Sequence, residues 1–441
     1  MKYNYSLIAM LVILLATSRG YAQQELTLHL LDNVFQASHT NPAFVPRNNI
    51  HVSVASSFHL SLKNSGFTYN QLAANIEEDE TGQRILDIER LYENLNLSGN
   101  DYIHFSGDID LFALSFKAAK NRFSLNVTEH FFGRQRYDKS ILQFAVQGNE
   151  PGQTLQLGNY ETDGIHYREI GIGFNRPFLT DNKLVVGTRV KALFGLANIQ
   201  TEEANISLTT GTEQELYAIT TNANVRVNTS GTTLMEDDAV AYATNMGNSG
   251  FGIDLGGTYQ LNDQISFAAS VINLGMISWK EDAQTISSNG TFTFTGVDNE
   301  NLLTEGFNID VQQLTDSIAD IYEFEEEATT YSTSLPTQVY LTGHYQLATR
   351  TIASATLYAD FYQSSRRSLS VGVKQDVGRW LQAAATYSLQ ARSYNNLGLG
   401  LAMTTGPKGL QLYFATDNIL ALADVGNAKV INARAGFNFV F

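Results

Sequence analysis

The sequence contains no cysteine. That removes disulfide frameworks, thiolate chemistry and the lipid-attachment site of a lipoprotein. Cations are outnumbered, 28 Lys and Arg against 44 Asp and Glu, for a formal net charge of −16. Without a basic stripe to neutralise phosphates, nucleic acid is not an expected partner. Past the first residues no apolar run approaches the roughly 18 residues that a helical membrane span needs. No HExxH or GxSxG is present to support an enzyme, and no metal or cofactor is expected. Proline is scarce, at six residues, which leaves long extended segments unbroken.

What is there is alternation. Ile50 to Leu62 places Ile50, Val52, Val54, Ser56, Phe58, Leu60 and Leu62 on one parity and His51, Ser53, Ala55, Ser57, His59 and Ser61 on the other. A period of two over this length is a strand with one apolar and one polar face, long enough to cross a bilayer when tilted. The near-neutral hydropathy fits a transmembrane antiparallel β-barrel, because only alternate residues face lipid.

The pattern predicts 14 strands, near 50–62, 102–117, 122–132, 165–175, 183–197, 251–259, 265–271, 336–347, 350–362, 367–376, 380–390, 395–404, 409–416 and 429–441. Sixteen is the alternative if 139–147 or 205–228 also crosses. Long connections fall only between odd strands and the next, and the even-numbered links are short turns. This matches the outer-membrane rule of long outer loops and short periplasmic turns. Short helices are expected in the loops, near 85–95 and 311–322. Acidic runs at Glu77 to Glu80 and Glu325 to Glu327 read as solvated loop.

The ends fit the same scheme. Lys2, the apolar run Leu7 to Ala16 and the small residues before Gln23 read as a signal peptide over 1–22. Residues 23–49 precede the barrel proper, 50–441, and are expected to fold into its lumen as a plug. The plug turns at Asn41-Pro42-Ala43-Phe44, where Pro42 and Pro46 pre-set the backbone. The last strand puts Phe437, Phe439 and Phe441 toward lipid, and Phe441 reads as a signal for the outer-membrane assembly machinery. Trp279 and Trp380 are expected in an aromatic girdle.

The polar parity gives the lumen: His51, His59, Asp108, Asp110, Glu169, Arg189, Lys191, Asp254, Asp360 and Arg434. These either line a polar path or pair with one another and pin the plug. In strand two the parity breaks. Ile103, Phe105, Ile109 and Leu111 are apolar at odd positions, then Phe112, Leu114 and Phe116 at even ones. A bulge near Leu111-Phe112-Ala113 is therefore expected, either adjusting curvature or acting as a lateral gate.

Three stretches carry a family likeness: Asn41-Pro42-Ala43-Phe44; Glu169 to Phe174 leading to Leu184 to Lys191; and Val271-Ile272-Asn273-Leu274-Gly275 before Trp279. Together they resemble a family of outer-membrane barrels of undetermined function found in gliding and gut-type Gram-negative bacteria. That family is similar to the FadL-type long-chain fatty-acid transporters, which carry an Asn-Pro-Ala near an N-terminal hatch, and to the barrel shuttle protein of type IX secretion. The resemblance implies an outer-membrane location among lipid and passage or binding of small hydrophobic molecules. Its alternative is a scaffold whose outer loops engage a surface or secretion partner. No ligand-contact residue of the transporters maps onto this chain.

Overall fold

The computed structural model describes residues 25–78, 84–97, 99, 101–158, 160–215, 217–294, 324–362, 364–390, 393–406 and 408–441. The expected signal peptide and the helix expected at 311–322 lie outside them.

Fourteen strands form the barrel wall: β1 Ile50–Asn64, β2 Asp101–Ala118, β3 Asn121–Tyr137, β4 Thr162–Phe178, β5 Leu184–Thr210, β6 Asn248–Gln260, β7 Ile265–Trp279, β8 Thr337–Ala348, β9 Thr351–Tyr362, β10 Ser364–Val377, β11 Leu381–Gln390, β12 Ser393–Thr404, β13 Gly409–Thr416 and β14 Val430–Val440. Each pairs antiparallel with the next, and β14 returns to β1 over registers from His51↔Val440 to Lys63↔Val430, closing the ring. Closure leaves the wall no free edge, so the strand backbones pair inside the bilayer except at local interruptions of the ladder. No helix among the described residues is long and apolar enough to cross a membrane. The wall itself crosses: Val54, Phe58, Ile172, Val190 and Phe251 are each more than half exposed on its outer face, a position only lipid makes favourable.

The sixteen-strand alternative does not hold. Residues 140–147 form a helix. The stretch 205–228 belongs to the far end of β5 and to a strand at Ile219–Ser230, which pairs with β5 and with Ala283–Phe294 beyond the barrel ring.

Among the local register shifts of the wall, those in β1, β2 and β7 decide which of their side chains reach the lumen. In β2 the ladder to β3 slips between Asp110 and Phe112, where the sequence changes parity. In β1 it slips between Val54 and Ser57, around Ala55 at φ +45°. The extra residue turns Ser56, of lipid-facing parity in the sequence, inward to 1% exposure. In β7 the slip falls opposite Ile253–Leu255, at Asn273 with φ +60°, a conformation Asn tolerates better than most residues. This last bulge inverts the parity of Trp279. Its indole is fully buried inside, donating from Nε1 to Thr333 Oγ1 at 2.9 Å, so it is not part of a girdle. Trp380 stays half exposed at the opposite end.

A ring of this size is too wide for wall side chains to fill, and residues 25–46 enter it. All five residues of the helix Leu26–Leu30 are buried. Its first amides donate to Asp417: Leu26 N to Oδ2 at 3.3 Å and Thr27 N to Oδ1 at 2.8 Å. Leu28, Leu30, Leu31, Val34 and Phe44 form an apolar cluster against small wall residues such as Ala384, Ala402 and Ala415. Contact is close because the wall supplies glycine: a Cβ at Gly398 would lie 2.2 Å from Thr27 Oγ1.

Candidate functional site

The turn that ends the plug is fixed from three sides. Asn41 Oδ1 accepts from Ala43 N at 2.9 Å, and Nδ2 reaches the carbonyls of Gly257 and Ala269 at 3.5 and 3.4 Å. Asn175 of β4 donates to Pro42 O at 3.3 Å and Phe44 O at 3.4 Å. Behind the turn, Cβ atoms at Gly187 or Gly256 would come within 2.2 Å of plug atoms, so any larger residue there forces the plug away.

Above this turn the lumen carries a connected layer of charge. Arg434 of β14 pairs bidentately with Glu25 of the plug, and its NH2 donates to Asp108 Oδ2 at 2.7 Å. Asp108 also binds His59 Nδ1 at 2.9 Å and His130 Nδ1 at 2.7 Å, and His130 Nε2 faces Glu169 Oε2 at 3.3 Å. Glu169 continues to Lys191 at 3.0 Å, Lys191 to Asp254 at 2.9 Å, and Asp254 to Arg189 at 3.4 Å. Arg189 closes back onto the plug, donating to Ser38 Oγ at 2.7 Å. His39 lies between Arg189, at 3.4 Å, and Asp110, at 3.5 Å. In a medium of low dielectric such pairs hold only when satisfied as a network, since any partner removed strands a buried charge.

Of the lumen residues read from the sequence, the network joins His59, Asp108, Asp110, Glu169, Arg189, Lys191, Asp254 and Arg434. His51, buried, lies apart near Arg122 and the Asn48 backbone. Asp360, also buried, lies apart in the ladder opposite Gln338 and Arg366. Sequence reasoning missed Glu25, Ser38, His39 and His130. His130 was legible, since β3 parity puts it opposite Asp108; the plug residues had no periodicity to place them. Asn273 was missed in this role too. Its αL backbone donates to Asp254 Oδ1 at 2.7 Å, and its side chain accepts from Lys191 at 2.6 Å. The three stretches that carry the family likeness thus meet here: the plug turn, Glu169 with Arg189 and Lys191, and Asn273.

Glu25, His59 and Asp108 present donor atoms within 4.8 Å of one another. Arg434 bridges the two carboxylates, so this trio is already organised around a guanidinium. Toward the loops, Phe132, Leu193, Trp279, Leu335 and Tyr362 cap the charged layer with an apolar one. The void left in the charged layer is about 60 Å³. That is room for a few waters and not for a hydrocarbon.

The wall is interrupted beside this layer. β1 and β14 pair at Val52↔Phe439 and again at Ser57↔Gly436, and Ser53 to Ser56 lie between without ladder partners on that side. The hydroxyls of Ser53 and Ser56 also find no partner among the described residues. From the lumen, plug residue Gln36 braces the gap by exchanging two amide hydrogen bonds with Asn438, at 3.0 and 2.9 Å. Ala113 stands opposite Ser53 in β2, 2% exposed. Outside, a hollow of about 420 Å³ opens on the lipid face between Phe58, Phe105, Ile109, Phe131 and the small residues Gly107, Ala433 and Ala435. His59 and Asp108 belong to the stretch of wall that lines it.

A family model described as Family of unknown function (DUF5723) matches residues 42–417. Among solved structures the chain is similar to a TodX deltaS2S3 mutant, a monoaromatic hydrocarbon channel, with 12% identity over 96% of each chain and a TM-score of 0.47. It is similar to a Pseudomonas aeruginosa FadL homologue, with 10% identity over 96% of this chain and 97% of that one and a TM-score of 0.44. The Pseudomonas putida toluene transporter TodX gives 10% identity over 95% and 93%, with a TM-score of 0.41. No curated protein matches the chain.

Proposed function

Because the chain belongs to this family of unknown function, we propose its role from the barrel itself: an outer-membrane protein that passes small hydrophobic molecules sideways through the β1–β14 seam. One observation carries this reading. The ladder is interrupted at Ser53–Ser56, an apolar hollow opens on the lipid face over the pairs just beyond, Phe58 with Ala435 and Leu60 with Ala433, and a plug residue braces the inside. An apolar molecule has no route through a lumen filled by charge, but a broken ladder needs few backbone bonds to part. Release into the membrane also spares such a molecule the aqueous side. The chain's N-terminal residues fit export, and its long loops fit the outer face.

The test uses proteoliposomes and a fluorescent hydrophobic probe. The chain has no cysteine, so two pairs across the seam, Val52→Cys with Phe439→Cys and Phe58→Cys with Ala435→Cys, can be oxidised cleanly. Partners directly opposite in an antiparallel ladder have Cα atoms about 4.5–5.5 Å apart, within disulfide reach. Cross-linking should cut uptake at least tenfold and reduction should restore it. Uptake unchanged by the cross-links removes the lateral route. Wild-type vesicles no faster than protein-free ones remove passage altogether and leave the scaffold reading.

A further inference from the structure

We propose that a cleft at the short-turn end of the barrel binds the phosphoryl headgroup of an anionic membrane lipid. The proposal stands independently of whether anything passes through the seam. The cleft holds about 720 Å³. Three neighbouring turns wall it, β8–β9 at Thr349 and Arg350, β10–β11 from Gly378 to Trp380 and β12–β13 at Gly406, and Arg47 and Asn48 close it where the chain leaves the plug. The backbone ties these turns together: Asp376 N donates to Arg350 O at 2.9 Å, and Thr404 N donates to Trp380 O at 2.7 Å. Its cations therefore stand on a fixed frame.

Charge in the cleft does not balance. Three guanidinium groups, Arg47, Arg350 and Arg379, line it beside one carboxylate, Asp376. Asp376 is already committed, with Oδ2 paired to Arg47 and Oδ1 accepting from Gln382 Nε2 at 3.0 Å. Arg350 and Arg379 meet no carboxylate among the described residues, so two positive charges are left over. The rim around them has the same sign. Its six short turns carry Lys120, Lys183, Arg350, Arg379 and Lys408 against Asp181 and Asp263, in a chain whose net charge is −16. A cleft lined by one sign of charge concentrates the opposite one, and guanidinium matches phosphate with two parallel donors. An inorganic ion would leave most of the cleft empty; its volume lies in the range of roughly 300–1,000 Å³ that organic ligands occupy. The lipid face begins at the same turns. Leu347, Val377 and Met403, each one or two positions from a cleft residue, are exposed on the outer wall. Trp380, half exposed, lines the cleft itself, and tryptophan favours the headgroup level. A phosphoryl group on Arg350 and Arg379 thus leaves its acyl chains against the apolar wall.

The experiment reads Trp380 fluorescence, Trp279 being enclosed. The whole barrel is reconstituted in phosphatidylcholine bilayers holding a minor fraction of lipid brominated high on its acyl chains. Each cation near an anionic lipid surface favours binding about fivefold, so brominated phosphatidylglycerol should collect at Trp380 about 30-fold over brominated phosphatidylcholine. Arg350→Gln with Arg379→Gln should abolish that preference. Lys120→Gln with Lys183→Gln removes as much charge from the same rim outside the cleft and should keep it. Equal quenching by the two lipids, a preference that survives the arginine pair, or one that the lysine pair also abolishes overturns the proposal. A preference erased by inorganic phosphate at constant ionic strength assigns the cleft to a soluble anion and overturns the lipid source.

Discussion

Replacing Glu25 by alanine should loosen the plug by an amount the geometry sets. Glu25 meets Arg434 with both carboxylate oxygens, 15% exposed on the acid and 3% on the arginine. Arg434 does not become an orphan when Glu25 goes, because it keeps Asp108 at 2.7 Å and Ser57 at 3.1 Å. The loss is therefore that of charge-assisted hydrogen bonds, roughly 1.5–3 kcal/mol, and not the roughly 3–5 kcal/mol of a buried ion stripped of its partner. Since about 1.4 kcal/mol is a factor of ten, the population with a displaced plug should rise roughly 10- to 150-fold. Arg434→Met should cost more than Glu25→Ala, as it strands Glu25 and also takes a charged donor from Asp108, which keeps only His59 and His130, and the double variant should cost less than the sum of the two. The assay is the labelling rate of a single cysteine at Ala37, which is fully buried in the plug. Equal labelling in wild type and Glu25→Ala, with the barrel folded in both, would refute the idea that this pair holds the plug. A larger cost for Glu25→Ala than for Arg434→Met would refute the ordering.

Other outcomes follow from the same contacts. Gln36→Leu removes both hydrogen bonds to Asn438 and should speed probe uptake severalfold without altering the heat-shifted mobility of the folded barrel; unchanged uptake would separate the plug from the seam. Acid should also free the plug. His29 is buried and stacked on Tyr340, and burial, with His344 close by, pushes its pKa down to about 3. An unfolded histidine titrates near 6.5, so this contribution is complete above that pH and falls by about 1.4 kcal/mol per unit toward 3; His29→Gln should flatten the pH dependence of Ala37→Cys labelling between 6.5 and 4. Finally, brominated lipid should quench Trp380 in a Trp279→Phe variant and leave Trp279 bright in Trp380→Phe, because only Trp279 is fully enclosed. Equal quenching would put Trp279 back on the lipid face.

Strand number and approximate position were legible because lipid imposes period two on one face of every span. The errors fall where that constraint stops or slips. β5 reads as ending near 197 but runs to Thr210, because beyond the bilayer neither face meets lipid and Thr and Asn serve both. β7 reads as ending at 271 but continues to Trp279, because one bulge residue exchanges the two faces. The same bulge explains Trp279: odd parity holds as far as Val271, then Leu274 and Met276 point outward. In β2 the parity change was visible, since large apolar residues flank it on both sides. In β1 it was not: Val54 and Phe58 stay outward across the bulge, so the even row reads as unbroken.

The site was half legible for a related reason. Parity says which residues enter a lumen but not how far apart they sit, since strand tilt and stagger set the heights of neighbouring charges. Asp108 and His130 are ladder partners, and such a pair can be inferred once two adjacent strands are aligned. Glu25 and Arg434 lie 409 positions apart and meet only because the plug enters the ring that the last strand closes. A plug is free of the lipid constraint, so it carries no alternation to announce itself; its signals are short polar turns and the glycines facing it. Gly187 and Gly256 face inward, and the side chain each lacks is the space taken by Asn41 and Pro42. In a chain with 34 glycines, an inward glycine on a strand that gains nothing from flexibility marks where something else must fit. Read that way, the wall records the position of the plug.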